Sequence, residues 1–400
     1  MDVIYERLET PVRGRYDVLV AGGGIAGAAA ALAAARAGAY VLLIERSYLL
    51  GGLATCGLVT IFLPLCDGLG HQVSFGIAEE LMRLSISLGA EIDLPKCWQE
   101  NAPASERAQS RFMARYNAQF FAMLLERLLR DNGVSILYGS SVVALETKER
   151  RVTAAIVESK TGREAFRARS FVDATGDADL FFLAGAPTRR PSTGNPLAAW
   201  YYRLSSNGLE LRSLGAADVP DALSDQRPQP QLLTSSRFAG LTAAELSEMM
   251  VLAREKVLED LQEARTADLE CVPVTLPTTP QVRMTRRIVG AYTLDDGQNG
   301  ISFPDEIGRI ADWRRKGFVY GVPFRALYTP KISNLIAAGR CISVSDTMWD
   351  ISRVIPACCV TGEAAGMAAA FSDDFAGMDV KKLRAALAQN GALRYDDLGL

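Results

Sequence analysis

The chain has 400 residues, enough for two domains, because single hydrophobic cores stop growing well below this length. Hydrophobic residues make up 49% of it and charged residues 22%, which is ordinary content for a globular protein. Its 43 basic and 46 acidic residues nearly cancel to a formal charge of −3, and no basic run or basic-aromatic stripe is present. This balance excludes an extended nucleic-acid-binding surface.

The amino-terminal segment, residues 1–15, lacks the apolar core of a secretory signal. The longest weakly polar stretch, residues 18–35, is interrupted by its glycines and does not read as a membrane span. We therefore expect a cytoplasmic protein that has no membrane anchor and no membrane partner.

The seven cysteines form an odd, scattered set without a C-x-x-C motif. Such a set argues against a disulfide framework, a zinc site or an active-site dithiol, and we expect no metal site. The cysteines occupy positions 56, 66, 97, 271, 341, 358 and 359.

The first predicted unit is a buried strand at residues 18–20 that leads into a glycine turn and a helix. Gly22, Gly24 and Gly27 form the pattern G-x-G-x-x-G at that turn. The first glycine permits the tight turn, the second lets a pyrophosphate approach the backbone, and the third lets the helix pack closely on the strand. The helix then presents its first amides, at Ile25 and Ala26, to the phosphates.

An alanine-rich helix is predicted over residues 28–37, with Gly38 ending it at the C′ position. A second strand follows at residues 40–44, and Glu45 closes that strand. Glu45 comes 23 residues after Gly22, near the spacing expected for a carboxylate that accepts hydrogen bonds from the adenosine ribose and disfavours a 2′-phosphate. The unit therefore predicts an adenine dinucleotide site.

A second glycine-rich loop follows the acidic residue directly. Its residues are Arg46, Gly51, Gly52, Ala54 and Thr55. With this loop, the sequence resembles the FAD-dependent oxidoreductases of the glutathione-reductase-like superfamily, in which the loop wraps the pyrophosphate and the ribityl chain. The resemblance implies FAD as cofactor and an α/β fold, with a Rossmann-type FAD-binding domain around a parallel sheet and an inserted α+β cap domain.

The resemblance continues to the end of the chain. Residues 117–132 resemble the helix before the third strand, residues 134–143 the strand pair near the adenine, and residues 171–179 the strand end that passes the cofactor again. Residues 334–340 and the helix after Arg353 match the closing strand and final helix. The cofactor contacts implied by these later motifs are Val143, Thr175, Gly176, Asp177, Gly339, Arg340, Pro356 and Ala357.

The final helix is predicted to begin at Pro356, which loses no hydrogen bond in a first turn. Gly362 and Gly366 share one face, so this helix can approach another backbone. The resemblance directs its amino end to the flavin pyrimidine, where it stabilises negative charge by roughly 0.3 to 2 kcal/mol. Arg340 replaces the aspartate usual after the closing glycine, and Asp346 is a substitute ligand for the ribityl hydroxyls.

The motif order implies a discontinuous FAD-binding domain built from residues 1–75, 105–200 and 325–400, with residues 76–104 and 201–324 forming the cap. Residues 187–240 are rich in Pro, Gly, Ser and Gln, which predicts loops. Thr242 and Glu245 then form a capping box for a helix that ends near Arg265, and its Met-bearing apolar stripe is typical of core.

Three residues are candidates for catalysis. His71, the only histidine, titrates near working pH and lies in a loop that leads to a helix at residues 77–88. Arg287, beside Arg286, and Arg353 offer guanidinium groups to a carboxylate substrate. The alternatives are a hydrogen-bonded loop histidine, with covalent flavin attachment through His71 as a minor option, and arginines that form salt bridges between cap and FAD domain.

The reaction class follows from what the sequence lacks. No second G-x-G-x-x-G unit follows a strand, and the G-W-x-W-x-I-P motif of flavin halogenases is missing. We therefore expect hydride transfer between flavin N5 and a small organic substrate, anionic if the arginines bind it. A flavin monooxygenase that binds NAD(P)H transiently and a non-catalytic FAD-binding protein remain alternatives. The sequence indicates neither the electron donor or acceptor nor the oligomeric state.

Overall fold

The computed structural model describes residues 2–215 and 232–394. Part of the predicted loop region, residues 216–231, and the tail after residue 394 lie outside the described residues. Within them, the strands are β1 Val12–Ala21, β2 Val41–Ile44, β3 Ile61–Phe62, β4 Ala90–Ile92, β5 Ala114–Tyr116, β6 Ser135–Leu137, β7 Ser141–Lys148, β8 Arg151–Ser159, β9 Gly162–Asp173, β10 Thr188–Arg189, β11 Ala199–Ser205, β12 Gly208–Leu214, β13 Val272–Pro273, β14 Arg287–Ile288, β15 Glu306–Ala311, β16 Val319–Pro323 and β17 Leu335–Ala337. The helices are α1 Ile25–Arg36, α2 Ile77–Ile86, α3 Lys96–Gln99, α4 Ala104–Arg107, α5 Ala118–Asp131, α6 Asp179–Leu183, α7 Ala243–Ala267, α8 Asp346–Ser352, α9 Ile355–Phe371 and α10 Val380–Gln389.

The main sheet is parallel at its centre. Strands β6, β2, β1 and β9 are neighbours in that order, and β17 lies parallel to the carboxyl end of β9. The other end of β9 pairs with β8 and then β7 as an antiparallel extension. The apolar run of β1 is fully buried, as expected for a central strand covered on both faces. This topology confirms the predicted α/β fold of Rossmann type.

Helices α1 and α9 lie together in the core of this layer. Alanine-rich α1 is buried from Ile25 through Ala34. A Cβ added at Gly362 would stand 2.3 Å from the carbonyl oxygen of Ala26, and one at Gly366 would stand 2.0 Å from that of Ala30. The two backbones therefore touch, as the shared face of the two glycines predicted.

Helix α5 begins and ends where the sequence predicted. Asn117 is its N-cap, and the Asn117 side-chain oxygen accepts the amide hydrogens of Gln119 and Phe120 at 3.0 and 3.1 Å. This satisfies two of the amides that every helix start leaves without an internal partner. The helix then leads into β6, which is the edge strand of the parallel sheet next to β2.

A second, smaller core lies in the region that was predicted to form the cap. It combines the antiparallel sheet β12-β11-β13 with α7, whose buried face carries Met249, Ala253, Val257 and Leu261. The Met-bearing stripe is therefore core, as predicted.

The start of α7 differs from the predicted capping box. The Thr242 hydroxyl accepts the Glu245 amide hydrogen at 3.3 Å, which is half of the box. The Glu245 carboxylate does not return to the Thr242 amide. It accepts the amide hydrogens of residues 239–241 instead, because the preceding loop turns back over the helix start. The reciprocal half of the predicted box is thus wrong.

The packing of α2 departs from the predicted division of the chain. Ile77, Ala78, Leu81 and Met82 are buried in the larger core, where α2 packs against α5 and α9. Residues 76–104 were expected to join the cap, but the apolar face of α2 finds its partner on the sheet layer. The domain bounds therefore stay a prediction.

No single helix among the described residues is long and apolar enough to cross a membrane. Helices α8 and α9 meet that test only when they are taken together, and a bend of 88° separates them.

Glu363 of α9 is a buried carboxyl group at the start of α2, where its Oε2 accepts the Ile77 amide hydrogen at 2.9 Å. Burial raises its pKa to about 7 from 4.5. Between pH 4.5 and pH 7 the Glu363 carboxyl group is protonated in the folded chain but ionised in the unfolded chain. The free energy of unfolding therefore falls as the pH rises through this window.

We expect Glu363→Gln to remove this pH dependence. The amide oxygen of glutamine still accepts the Ile77 hydrogen bond, whereas the variant has no charge to bury. The stability of the variant relative to the wild type should rise by about 1–2 kcal/mol between pH 5 and pH 7. Urea unfolding of both proteins at each pH measures this, and a difference that stays constant with pH contradicts it.

Candidate functional site

The first glycine turn has the geometry of a dinucleotide cradle. Gly22 has a φ of 100°, and a Cβ there would stand 2.4 Å from the carbonyl oxygen of Ala174. A Cβ at Gly27 would stand 1.7 Å from the carbonyl oxygen of Gly22. At Gly24, by contrast, a Cβ would meet no atom within 4 Å. The first and third glycines are therefore required by the fold, and the second faces open space where a phosphate can approach.

The second glycine loop lies against the first. The Gly51 amide donates to the carbonyl oxygen of Gly23 at 2.8 Å, and a Cβ at Gly52 would stand 3.2 Å from the Gly24 Cα. Gly51 and Gly52 both have positive φ angles. The buried Ala54 and Thr55 hold the loop, and the Thr55 hydroxyl donates back to the carbonyl oxygen of Leu50. The two loops therefore form one wall around the open space at Gly24.

Glu45 lies at the predicted end of β2 and is buried. Its carboxylate accepts the amide hydrogens of Gly23 and Ser47 at 2.6 and 2.7 Å, which fixes it beside the glycine turn. Neighbouring Arg46 is exposed. The Ser140 amide donates to the Glu45 carbonyl oxygen at 3.1 Å, so the start of β7 lies alongside.

The predicted adenine contact, Val143, lies on that strand. It falls at a break in the register between β7 and β8. Its predicted contact with the adenine stays a prediction.

Arg340 joins the turn after β9 to the closing segment around Gly339. Arg340 Nε donates to the carbonyl oxygen of Gly176 at 2.7 Å, and its Nη2 donates to Asp177 Oδ1 at 2.9 Å. The same Asp177 oxygen accepts the Thr285 hydroxyl at 2.6 Å. Burial alone raises the pKa of Asp177, but the Arg340 charge and the Thr285 hydrogen bond hold it below its usual range. Asp177 is therefore an anion that anchors Arg340.

Thr175 supports the same turn from within. Its hydroxyl donates to Asp173 Oδ1 at 2.7 Å and accepts the amide hydrogens of Asp177 and Asp179. These contacts shape the turn around Gly176, which has a φ of 79°.

The closing segment brings the starts of α1 and α9 together. A Cβ at Gly339 would stand 2.7 Å from the Ala26 Cβ and 3.5 Å from the Cys358 Sγ. The Gly339 amide donates to the Thr361 hydroxyl at 3.0 Å. Helix α9 has Pro356 in its first turn, with Ala357 beside it, and no side chain caps its start.

These pieces form one strip at the carboxyl edge of the parallel strands. It runs from Glu45 past Gly24 to Gly339 and the start of α9, where parallel sheets bind dinucleotides. The open side of Gly24 and the uncapped start of α9 both fit an extended dinucleotide, with the adenosine at Glu45. The individual contacts predicted along the strip stay predictions.

The structure places His71 in a separate loop. Its Nδ1 lies 2.8 Å from Asp67 Oδ2, and Asp67 Oδ1 accepts the amide hydrogens of Leu69 and His71. The Gly317 amide donates to the carbonyl oxygen of Asp67, which ties the loop to residues beyond β15. No recorded contact joins His71 to the strip within the described ranges, so its predicted catalytic role stays a prediction.

Arg287 and Arg353 flank α8 and each has a carboxylate partner. Arg287 Nη2 lies 3.3 Å from Asp346 Oδ1 at the start of the helix. Arg353, at its end, pairs with the buried Asp350, which also accepts Arg314 at 2.7 Å. Each arginine therefore has an ion pair within the protein, and the predicted contact of both with a substrate carboxylate stays a prediction.

The carboxylate of Asp346 also has two partners within the protein. Its carboxylate accepts the Ser192 amide hydrogen at 2.8 Å as well as the Arg287 contact. Because Ser345 caps α8 at this point, the first residue of the helix faces the loop around Ser192. The expectation that Asp346 replaces the missing ribityl ligand stays a prediction.

Sequence reasoning offered salt bridges from Arg286 and Arg287 to the FAD domain as an alternative, but it did not identify the partners. Thr285 reaches Asp177, and Arg286 donates to the Asp177 carbonyl oxygen at 3.0 Å and to Asp179 at 2.5 Å. Nothing local in the sequence marks these contacts, because they link positions 107 to 109 residues apart.

Comparison with known proteins gives one family and several distant structures. A family model described as FAD dependent oxidoreductase matches residues 17–198 and 209–389. No curated protein matches the chain. Among solved structures, a geranylgeranyl bacteriochlorophyll reductase-like protein from Thermoplasma acidophilum is 15% identical, with a TM-score of 0.47 over 94% of this chain and 84% of that one.

Two further similar structures are those of enzymes whose names describe different reactions. A 3-ketosteroid-Δ4-(5α)-dehydrogenase from Rhodococcus jostii RHA1 is 18% identical, with a TM-score of 0.41 over 90% of this chain and 98% of that one. The anhydrotetracycline hydroxylase OxyS from Streptomyces rimosus is 14% identical, with a TM-score of 0.43 over 93% and 65%.

Proposed function

This chain belongs to the FAD-dependent oxidoreductase family, and we propose that it transfers a hydride between flavin N5 and a small organic anion. It is an FAD-dependent oxidoreductase with FAD as cofactor, which removes the non-catalytic alternative. We propose that it acts as a dehydrogenase or as a reductase. We also propose that it falls within the glutathione-reductase-like superfamily, because its four separated motifs occur in the order that is typical of that superfamily.

One observation supports the anionic substrate best. The segment that carries Thr285, Arg286 and Arg287 runs from the turn at Asp177 to the start of α8. It thereby brings cationic side chains of the cap region next to the flavin end of the strip. Arginine is suited to this role because its planar group binds carboxylates in two-point fashion.

The chain's own residues have separate proposed roles. The Glu45 carboxylate accepts hydrogen bonds from the ribose hydroxyls, and the open backbone at Gly24 and Gly52 accommodates the pyrophosphate. The start of α9 places its partial positive charge at the flavin end, a stabilisation of roughly 0.3–2 kcal/mol for negative charge there. Bound FAD supplies the two-electron redox chemistry.

The arginines flanking α8 have different proposed roles. Arg287 contacts the substrate anion. Arg353, paired with buried Asp350 at the end of α8, is a positioning residue that fixes the turn into α9. This division follows from their surroundings, because the partner of Arg353, Asp350, is fully buried, whereas the partner of Arg287, Asp346, is partly exposed.

The test is anaerobic titration of the FAD-loaded protein with a panel of small organic acids and their uncharged amides or esters. We expect one or more acids to bleach the visible flavin absorbance, and the corresponding amides to fail. Bleaching by uncharged compounds alone contradicts an anionic substrate. In a separate assay under air, rapid NAD(P)H oxidation with peroxide release, together with no bleaching by acids, supports the monooxygenase instead.

The same preparation tests how FAD is held. After acid precipitation, we expect FAD in the supernatant, because His71 is engaged by Asp67 in a separate loop. Flavin retained in the pellet contradicts this and indicates covalent attachment.

A further inference from the structure

A cavity of about 490 Å³ lies beside the start of α8, apart from the glycine strip. We call it the arginine cavity. Its polar lining consists of Arg189, Arg190, Ser192, Arg287, Thr293 and the pair Ser345 and Asp346. The volume falls in the range of pockets that bind small organic molecules.

The charges of the lining do not balance. Three guanidinium groups, of Arg189, Arg190 and Arg287, face one carboxylate, that of Asp346. Although burial raises the pKa of Asp346, the Ser192 amide and Arg287 hold it below its usual range, so this carboxylate is charged. Arg189 and Arg190 are exposed and have no ion pair within the described residues. The cavity therefore has an excess of two positive charges.

Arg287 is the buried member of the group. It is 7% exposed, and its only ion pair among the described residues is the 3.3 Å contact with Asp346. Its Nε is buried and has no hydrogen-bond partner within the same part of the chain. A buried donor left without a partner is energetically unfavourable, because its lost hydration is not replaced.

The surroundings hold Arg287 in this position. Its guanidinium carbon lies 5.5 Å from the ring centroid of Trp349, which is fully buried. Burial lowers the pKa of Arg287, and the nearby charge of Arg189 lowers it further. An incoming anion relieves this repulsion and gives the Arg287 guanidinium, which lines the cavity, a further acceptor.

We propose that the arginine cavity binds the oxyanion of a small organic molecule, a carboxylate or a phosphate. The buried guanidinium of Arg287 is the base of the site, Arg189 and Arg190 form its rim, and the hydroxyls of Thr293 and Ser345 are further donors. The identification of this oxyanion as part of the substrate rests on the proposed function. The anion site itself stands on the cavity, its charge excess and the unpartnered Nε.

The position of the cavity suits a substrate that reaches the flavin end. The Thr293 hydroxyl lies 3.0 Å from the Ser343 hydroxyl, on the segment that follows Gly339. Strand β14, which carries Arg287, lies against the turn at residues 339–341. A molecule anchored in the cavity is therefore adjacent to the closing segment of the cofactor site.

The test uses the protein with excess FAD, so that the cofactor site is filled and cannot capture the probe. Isothermal titration calorimetry with succinate and with inorganic phosphate measures binding directly. The test variant is the double substitution Arg189→Ala/Arg190→Ala, because both side chains are exposed and their loss leaves the core intact. The control is Arg163→Ala/Arg254→Ala, which removes the same charge from exposed positions elsewhere.

We expect the wild type to bind at least one probe at a single site. The test variant should bind it at least tenfold more weakly, and the control should be unchanged. Tighter binding of succinate assigns the site to a carboxylate, and tighter binding of phosphate assigns it to a phosphate ester. Absence of binding for both probes, or equal weakening in test and control variants, overturns the proposal.

Failure of this site and failure of the proposed function give different results. If a probe binds as expected but no organic acid bleaches the flavin, the cavity stands and the anionic-substrate function fails. If an acid bleaches the flavin with the same concentration dependence in wild type and test variant, the function stands and the cavity does not hold the anionic group of the substrate. If a probe binds to the wild type as expected, Arg287→Lys should weaken that binding, because lysine keeps the charge but loses Nε.

Discussion

Replacing Gly24 with alanine is expected to weaken FAD binding by about 100-fold, or about 2.7 kcal/mol. It should destabilise the protein by no more than about 1 kcal/mol, because alanine is a poorer helix N-cap residue than glycine. Gly24 has a φ of −66°, which alanine adopts freely, and a Cβ there meets no protein atom within 4 Å. The methyl group therefore makes no steric clash with the rest of the protein. It occupies the open space through which a pyrophosphate must approach the backbone, and activity falls with the loss of FAD.

The measurement is fluorescence titration of the apoprotein with FAD, together with thermal unfolding of the apoprotein. Gly297→Ala is the matched control, because Gly297 is an exposed glycine outside the strip without a positive φ. It should keep FAD affinity and stability. Gly27→Ala is the opposite case, since its Cβ would stand 1.7 Å from the Gly22 carbonyl oxygen, and it should lose both. Full FAD affinity in Gly24→Ala contradicts the assignment of the cradle.

The glycine cradle could be predicted from the sequence because its information is local. The spacing of Gly22, Gly24 and Gly27 within one strand-turn-helix unit assigns each a separate steric role, and the structure shows those roles as three different Cβ environments. The contact between α1 and α9 was predictable for a similar reason. Gly362 and Gly366 are four residues apart, so helical geometry alone puts them on one face.

The pairing of the charged groups could not be predicted in this way. Arg340 meets Asp177 across 163 positions, and Thr285 meets the same carboxylate across 108. No periodic pattern connects such distant residues, and only the assembled sheet brings them together. The Asp67 contact of His71 is different, because its four-residue spacing in a glycine-rich loop was a local signal that the sequence offered.

The domain bounds illustrate a third kind of limit on inference from patterns. Helix α2 has a clear apolar face, but an apolar face predicts burial without naming the partner. The packing of Leu81 and Met82 in the larger core was therefore open until the positions of α5 and α9 were known. Cofactor motifs specify the sheet layer, and the segments between them are free to join either core.

Replacing Gly366 with alanine is expected to destabilise the protein by about 2–3 kcal/mol. Alanine favours the helical state by about 1 kcal/mol over glycine. The new Cβ, however, would stand 2.0 Å from the carbonyl oxygen of Ala30 and 2.6 Å from its carbonyl carbon. Because these are backbone atoms, no side-chain rotation relieves the contact, and α9 must move away from α1 along its length. That loss of packing outweighs the gain in helix propensity.

Urea unfolding of the apoprotein measures this effect, with Gly377→Ala as the control. Gly377 follows α9 in an exposed turn, and a Cβ there meets only the Asp374 side chain, which can rotate away. The control should stay within about 1 kcal/mol of the wild type. Gly366→Ala should also bind FAD more weakly, because α1 and α9 carry the two helix starts that border the strip, at Ala26 and Cys358. Wild-type stability in Gly366→Ala would mean that the two helices are not in backbone contact, and the shared geometry of the strip would then need another source.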